Sequence, residues 1–174
     1  IDAGVSPLES AAIDLATVTE TILRDNEEIA AEHSTKFKFA SSGDTTVMAD
    51  KRRVSRIIRN LVVNAIEHCD GTNVEVEILG NESCVSISVR DHGQGIAVED
   101  LSRVFGRFWR ADPARQRTLG GTGLGLSISA EDAALHGGII DVWGAPNEGA
   151  QFVLTLPRIE LGAISAVAIS AGAP

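Results

Sequence analysis

The chain has 174 residues, 44% of them hydrophobic, which suits one globular domain with a buried core. Its formal net charge of −9 argues against a nucleic-acid-binding surface. No apolar run approaches the roughly 20 residues of a membrane span, and no signal peptide opens the chain. Cys69 and Cys84 lack the spacing of a metal site or redox pair, and we expect both to be free packing residues in a reducing compartment.

The N-terminal region is predicted to begin with a linker over residues 1–11, because Pro7 forbids a helix through this start. An edge strand is expected around Ala12–Ala16. An acidic helix is expected from about Thr17 to Glu32, with its apolar residues on one side. The first residue is Ile1 rather than methionine, so we expect the chain to be a piece of a longer protein.

Two short strands, Lys36–Ala40 and Thr46–Ala49, are predicted to precede the most regular helix of the chain. This helix is expected from about Lys51 to Cys69, with Asp50 as its N-cap. Its apolar residues follow an uninterrupted helical series: Val54, Ile57, Ile58, Leu61, Val62, Ala65 and Ile66.

Two alternating runs, Val74–Ile78 and Val85–Val89, predict antiparallel strands joined through Gly80-Asn81. Residues 92–121 show no sustained periodicity. A loop of this length inside a compact domain is uncommon and is usually functional.

A helix is predicted from about Thr122 to Leu135, followed by a strand pair over Ile139–Trp143 and Gln151–Leu156. The small apolar residues of the tail, 158–174, form no partner pattern, and we expect the tail to be disordered. Helices and strands alternate in blocks. The predicted fold class is therefore α/β, a two-layer sandwich with a mixed, mostly antiparallel sheet and about three helices on one face.

Two familiar phosphate-binding motifs are excluded. The lysines, Lys36, Lys38 and Lys51, do not stand in a P-loop pattern. The dinucleotide pattern G-x-G-x-x-G also fails, because Val98 occupies its third glycine position after Gly93 and Gly95, and the later glycines fail similarly.

Asn60, Asn64 and His68 stand four residues apart on the long predicted helix, so they form one stripe beside its apolar face. Asparagine is a poor helix former, so two of them here need a reason. Both could satisfy backbone groups of a neighbouring loop. Alternatively, Asn64 could offer its carbonyl oxygen to Mg²⁺, which prefers oxygen ligands. The stripe alone does not decide between these interpretations.

Asp91 follows a predicted strand and begins the run Asp91-His92-Gly93-Gln94-Gly95-Ile96. A carboxylate at a strand end can accept from a donor such as an adenine amino group, while the glycines let backbone pass close by. Many calcium loops and turns share D-x-G-x-G, so this motif alone is weak.

A second glycine cluster, Gly120-Gly121-Thr122-Gly123-Leu124-Gly125, opens the next predicted helix. Exposed N–H groups and the helix dipole at such a position suit a phosphate. A flexible hinge before the helix is compatible with the same residues.

Five arginines lie between the two glycine clusters: Arg103, Arg107, Arg110, Arg115 and Arg117. Charge runs are usually solvated surface. Here Phe105, Phe108 and Trp109 are interleaved with guanidiniums that can grip phosphate oxygens, so a lid over a nucleotide is the better interpretation.

Together these motifs resemble the GHKL superfamily, whose nucleotide-binding Bergerat fold is shared by histidine kinases, gyrase B, Hsp90 and MutL. The resemblance covers roughly residues 12–157. Four boxes occur in the family's order: Asn60–Ala65 as the N box, Asp91–Gly95 as G1, Phe105–Phe108 as the F box and Gly121–Gly125 as G2. His136-Gly137-Gly138 and Leu156-Pro157 follow the histidine-kinase pattern. Within the kinases, Arg90–Gly93, Arg107–Arg110 and Asp112-Pro113 resemble the Mtr-type sensor kinases of actinobacteria.

The resemblance implies ATP and Mg²⁺ as cofactors and a lid over about residues 97–120. It implies Asn64 as the Mg²⁺ ligand, Asp91 as the adenine contact and Arg110, then Arg107, as phosphate-binding side chains, with Asn60, Asn64 and Arg110 as the catalytic set. The remaining nucleotide contacts that it implies are His68, Gly93, Gly95, Ile96, Gly121, Thr122, Gly123, Leu124 and Gly125.

Two positions bear on the reaction. ATP-hydrolysing members of the superfamily carry a glutamate base where this chain has Asn60, and an amide cannot accept a proton in this pH range. The kinases usually carry a basic residue and then a tyrosine where this chain has Glu67 and His68. His68 can still stack on adenine, but Glu67 cannot neutralise a phosphate, so another group must do so.

The resemblance therefore implies a protein-histidine kinase domain that transfers the ATP γ-phosphoryl to a histidine on an upstream domain of the kinase dimer. None of the four histidines, His33, His68, His92 and His136, stands in an acceptor-helix pattern, so we do not expect this chain to phosphorylate itself. A response regulator would be an indirect partner, no nucleic acid is expected and the chain would be monomeric. It would be a cytoplasmic domain of a parent protein anchored in the plasma membrane. A non-catalytic nucleotide-binding module and a gyrase-type ATPase remain alternatives.

Overall fold

A computed structural model describes residues 7–109 and 123–158. Within these residues the strands β1 to β7 are Ser10–Asp14, Phe37–Ser42, Thr46–Asp50, Val74–Gly80, Cys84–Arg90, Ile139–Ala145 and Gly149–Pro157. The helices α1 to α4 are Leu15–Asp25, Glu27–Glu32, Lys51–His68 and Gly125–Leu135, and a 3-10 helix spans Val98–Asp100.

Five strands form one sheet in the order β2-β4-β5-β7-β6. Only β2 and β4 are parallel, and the other three pairs are antiparallel. This confirms the predicted α/β class with a mixed, mostly antiparallel sheet. The predicted edge strand β1 does not join this sheet, because it pairs with β3 in a separate two-stranded antiparallel ribbon.

Helix α3 forms the centre of the helical layer. The Asp50 side chain caps its N-terminus by accepting from the N–H groups of Arg52 and Arg53 at 3.0 and 3.2 Å. Its predicted apolar series is buried in the core against the strands: Val54, Ile57, Ile58, Leu61, Val62, Ala65 and Ile66. The helix that carries Asn60 and Asn64 is therefore fixed along its whole length.

The predicted boundaries of the N-terminal region need correction. The first strand ends at Asp14 rather than Ala16, because the Asp14 carboxylate caps α1 by accepting from the N–H groups of Ala16 and Thr17. The single helix predicted over residues 17–32 is two helices separated at Asn26. The Asn26 amide donates to the Ile22 carbonyl at 2.7 Å, and this competing contact accompanies the break.

The hairpin of β4 and β5 is confirmed, but its turn is longer than predicted and spans residues 81–83. Asn81 organises the turn, because its side-chain oxygen accepts from the N–H groups of Ser83 and Cys84. Both cysteines are buried and unpaired, as predicted.

No helix within residues 7–109 and 123–158 is long and apolar enough to cross a membrane. The start of the predicted linker, 1–6, the predicted tail from residue 159 onward and Thr122, the predicted first residue of the third helix, lie outside the described residues. This helix, α4, begins at Gly125.

Candidate nucleotide site

Asn60 joins α3 to the beginning of α4. Its amide nitrogen donates to the Gly125 carbonyl at 3.1 Å and to the Ser129 hydroxyl at 3.0 Å. The interpretation of an asparagine that satisfies a neighbouring backbone group thus describes Asn60 in this conformation. A carboxylate in place of this amide would lose the contact with the Gly125 carbonyl, because neither group could donate.

Asn64 lies one helical turn further along the same face and is half-buried. No described residue forms a hydrogen bond with its side chain. His68, one more turn along, contacts Gln94 through its Nδ1 at 2.9 Å from the Gln94 Nε2. The three side chains predicted as one stripe therefore differ: Asn60 is anchored, His68 is oriented by the loop after β5, and Asn64 keeps its polar atoms available.

Asp91 stands at the end of β5 and is 1% exposed. Its Oδ1 accepts from the Gly93 N–H at 3.0 Å, and its backbone N–H donates to the Ala150 carbonyl. Burial raises the pKa of the Asp91 carboxyl, against the opposing effect of the Gly93 and Ala150 backbone N–H groups, which favour the ionised form. No described side chain donates to this carboxylate. A buried carboxylate that the described side chains leave without a donor suits a ligand that brings its own N–H group.

The loop after β5 is packed so closely that two of its residues must be glycine. A Cβ at Gly93 would lie 1.6 Å from the His68 carbonyl oxygen, at the C-terminal end of α3. Gly95 has φ +73°, and a Cβ there would lie 1.8 Å from the Ala145 carbonyl oxygen. Ile96 is half-buried against the core. The loop is thus wedged between α3 and the hairpin of β6 and β7, which holds Asp91 beside the stripe on α3.

The predicted lid is anchored before its undescribed part. Val104 is buried in the core, and the Phe105 ring meets Phe152 edge to face at 6.3 Å between centroids. The backbone N–H of Phe108 donates to the Gly123 carbonyl at 3.0 Å, so residues 108 and 123 meet at one point. Gly123 has φ +75°, a conformation that favours glycine. Phe108, within the predicted lid, therefore lies beside the second glycine cluster.

Of the predicted phosphate-binding arginines, Arg107 is described and Arg110 lies outside the described residues, together with Gly121 and Thr122. The Arg107 guanidinium pairs with Glu131 on α4 at 2.7 Å, and this partner raises the pKa of Arg107 further. Leu124 and Gly125 stand at the start of α4, where Gly125 faces Asn60.

Sequence reasoning missed a group of charged residues at the junction of α3 and α4. Asp132 on α4 is 2% exposed and receives hydrogen bonds from Arg53 and Arg56 of α3. The sequence of α4 did contain an indication of this polar contact. The side of α4 that faces α3 has few large apolar residues and carries an acid instead.

His136, quoted above only as part of a family pattern, also belongs to this junction. Its Nδ1 lies 2.7 Å from the Asp132 carbonyl oxygen, and its Nε2 accepts from the Asp50 N–H at 3.0 Å. We expect His136→Ala to lower the free energy of unfolding by about 1–3 kcal/mol, because the Asp50 N–H loses its acceptor. Urea titration would measure this, with the exposed His92→Ala as the control. An unchanged midpoint for His136→Ala would contradict the structural role.

A family model described as histidine kinase-, DNA gyrase B- and HSP90-like ATPase matches residues 49–160, which are more than half of the chain. The chain belongs to this family. Sensor histidine kinase MtrB of Mycobacterium tuberculosis is 43% identical over 159 residues, which are 91% of this chain and 28% of that protein. The catalytic domain of histidine kinase ThkA has a TM-score of 0.76 at 27% identity, and the match covers 86% of this chain and 96% of that chain. Full-length ShkA, solved in complex with AMPPNP, has a TM-score of 0.80 at 27% identity, covering 92% of this chain and 34% of that chain.

These comparisons confirm the predicted resemblance to the ATP-binding catalytic domain of sensor histidine kinases, including the Mtr-type kinases. The chain spans 28% of the length of the curated MtrB sequence that it matches. The four boxes fall within the part of the chain that the family model covers, from residue 49 to residue 160. The histidine kinase-like ATPase family thus accounts for both the fold and the order of the motifs.

Proposed function

We propose that this domain binds Mg-ATP between the C-terminal half of α3, the loop after β5 and the start of α4. It then donates the γ-phosphoryl group to a histidine on a separate acceptor element. The observation that carries this proposal is Asp91, a buried carboxylate whose Oδ1 accepts from the Gly93 N–H and to which no described side chain donates. The adenine amino group is such a donor. ShkA, which shares the fold, was solved with an ATP analogue, and this supports ATP as the ligand.

In the same proposed site, Asn64 would hold Mg²⁺. The Asn64 amide is half-buried and makes no hydrogen bond with a described residue. Its carbonyl oxygen is a ligand of the kind that a hard cation prefers. The ion would neutralise charge on the phosphates. The residues proposed to line the nucleotide are His68, Ile96, Leu124 and Gly125. Because this chain has Glu67 where related kinases usually carry a basic residue, Arg110 and Arg107 are proposed to neutralise the phosphates instead.

We expect Asn64→Ala to remove the gain in ATP affinity that Mg²⁺ gives, a loss of about tenfold or more, because the metal loses a direct ligand. Calorimetric titration of ATP with Mg²⁺ and with EDTA would measure this gain. Asn73→Ala, an exposed asparagine in the loop before β4, is the matched control. An Asn64→Ala variant that keeps the full Mg²⁺-dependent gain would refute the metal assignment.

Transfer to a protein acceptor is favoured over hydrolysis by Asn60. Activation of water requires a base at this position of the helix, and the Asn60 amide is both non-basic and already committed to Gly125 and Ser129. The chain's own contribution is to position ATP and to stabilise the charge of the transferred group. We expect the isolated domain to release inorganic phosphate from ATP only slowly, and rapid release in a coupled phosphate assay would favour a gyrase-type ATPase instead.

The acceptor histidine is proposed to lie on an upstream domain of the same kinase dimer, with a response regulator as the next partner. The domain would occupy residues 12–157, with the lid over about 97–120, and would be monomeric when isolated. It would lie on the cytoplasmic side of a parent protein anchored in the plasma membrane. The relative MtrB, named a sensor histidine kinase, supports this assignment.

A further inference from the structure

Helix α4, which opens at the proposed phosphate end of the site, is fixed to α3 by polar contacts centred on Asp132. The Asp132 Oδ1 accepts from the Arg53 Nη1 at 2.9 Å. Its Oδ2 accepts from the Arg56 Nε at 2.8 Å and from the Arg56 Nη2 at 2.5 Å. Two adjacent turns of α3 thus hold one buried carboxylate by three charge-assisted hydrogen bonds.

The other contacts of α4 with α3 and its cap lie on the same face. Gly125, Ser129, Asp132 and His136 follow one another at spacings of four, three and four residues, which places them along one side of the helix. Gly125 and Ser129 accept from Asn60, while His136 accepts from the N–H of the Asp50 cap. Apolar burial is non-directional, whereas hydrogen bonds fix distance and angle. This face therefore sets where α4 lies along the axis of α3.

We propose that Asp132 is a positioning residue for the β- and γ-phosphates of ATP. By binding Arg53 and Arg56, it holds the first turn of α4 against Asn60, so that Leu124 and Gly125 stand opposite the side of α3 that carries Asn64. The inference rests on the proposed function, because that function assigns this end of the groove to the phosphates and the Asp91 end to adenine. Asp132 does not touch the nucleotide.

A positioning role differs measurably from a role in stability alone. A loss of general stability would weaken the binding of every nucleotide to a similar extent. Displacement of α4 would weaken the binding of ATP, which carries the β- and γ-phosphates. It would leave the binding of AMP unchanged, because AMP engages chiefly the Asp91 end of the site. The ratio of ATP affinity to AMP affinity is therefore the diagnostic quantity.

Arg56→Gln is the principal variant. Arg56 is half-exposed, and the Arg53 to Asp132 contact remains in its absence, so the domain is expected to fold. We expect the dissociation constant for ATP to rise about five- to twentyfold and that for AMP to change by less than about twofold.

Arg56→Lys keeps the charge and one donor, and it should restore part of the ATP affinity. Asp132→Asn removes the carboxylate that Arg53 and Arg56 share, while Arg53 keeps its contact with Asp50 at 3.8 Å. It should give a larger loss of ATP affinity than Arg56→Gln. Arg24→Gln, an exposed arginine on α1, is the matched control and should change neither affinity.

The experiment is a titration of each variant with Mg-ATP by calorimetry and with AMP by NMR, together with its unfolding midpoint. A selective loss of ATP affinity that Arg56→Lys partly reverses supports the inference. Equal losses for ATP and AMP, or no loss in Arg56→Gln, would overturn it. Failure of the unmodified chain to bind ATP would instead refute the proposed function, and the inference with it.

Discussion

Asp91→Asn is expected to weaken ATP binding about tenfold to hundredfold and, at neutral pH, to stabilise the fold. The loss of affinity follows from the hydrogen bonds of Asp91. Its Oδ1 accepts from the Gly93 N–H, and its Oδ2 is proposed to accept from adenine. An asparagine that keeps the first contact turns an NH₂ group toward the second, and two donors then face each other. Calorimetric titration with ATP measures this effect.

The gain in stability follows from the raised pKa of the Asp91 carboxyl. Burial raises this pKa above its ordinary value of 3.8, so the folded state binds the proton more tightly than the unfolded state. The ionised carboxylate therefore costs stability at pH values above the folded pKa, and the cost is relieved as the pH falls through it. Asparagine removes this cost.

We expect the melting temperature of Asp91→Asn at pH 7 to exceed that of the unmodified chain by about 2–4 °C, the shift for about 1 kcal/mol in a domain of this size. The difference should shrink as the pH is lowered toward 4. Asp141→Asn, an exposed aspartate on β6, is the control and should alter neither ATP affinity nor stability. A variant that binds ATP normally, or that is less stable at pH 7, would contradict the role assigned to Asp91.

Gly93→Ala is expected to lower the free energy of unfolding by about 3 kcal/mol and to abolish measurable ATP binding. The new Cβ would lie 1.6 Å from the His68 carbonyl oxygen and 2.7 Å from its carbon, and both atoms belong to the backbone of α3. The loop must therefore move away from α3, and Asp91, whose carboxylate is bound to the Gly93 N–H, moves with it. Urea titration and ATP calorimetry measure the two effects.

Gly125→Ala is the matched control from the second glycine cluster. A Cβ at Gly125 would lie 3.5 Å from the nearest atom of Asn60, which is an ordinary contact, and alanine favours a helix. We expect its free energy of unfolding to be unchanged or raised. Equal destabilisation by the two substitutions would show that the close packing of the loop on α3 is not what requires glycine at position 93.

The elements that bury an apolar face were predictable from the sequence, because a repeated burial pattern identifies them. Helix α3 and the strands β4 and β5 have the predicted type and nearly the predicted bounds. Local polar competition was not predictable in the same way. Asn26 interrupts the predicted helix although the apolar pattern continues past it. Asp14 caps α1, so this helix begins earlier than the apolar pattern predicts.

The candidate site was predictable residue by residue only where a short motif carried it. Asp91 and Gly93 are two positions apart and directly follow β5, so their proximity follows from the chain itself. The contact of Asp132 with Arg53 and Arg56 joins residues 79 and 76 positions apart. The periodicity of a single helix cannot predict such a pairing, because the pairing depends on how two helices pack against each other.

The central claim, that this domain donates a phosphoryl group to a histidine on another element, is tested most directly by phosphoryl transfer. The chain would be mixed with γ-labelled ATP, Mg²⁺ and a separately expressed acceptor-helix domain from a sensor kinase of the Mtr type. We predict that the label appears on the acceptor histidine in an acid-labile form, does not appear on this chain and is lost with Asp91→Asn. An acceptor domain that stays unlabelled while the chain binds ATP normally would contradict the claim and would leave a nucleotide-binding module without kinase activity.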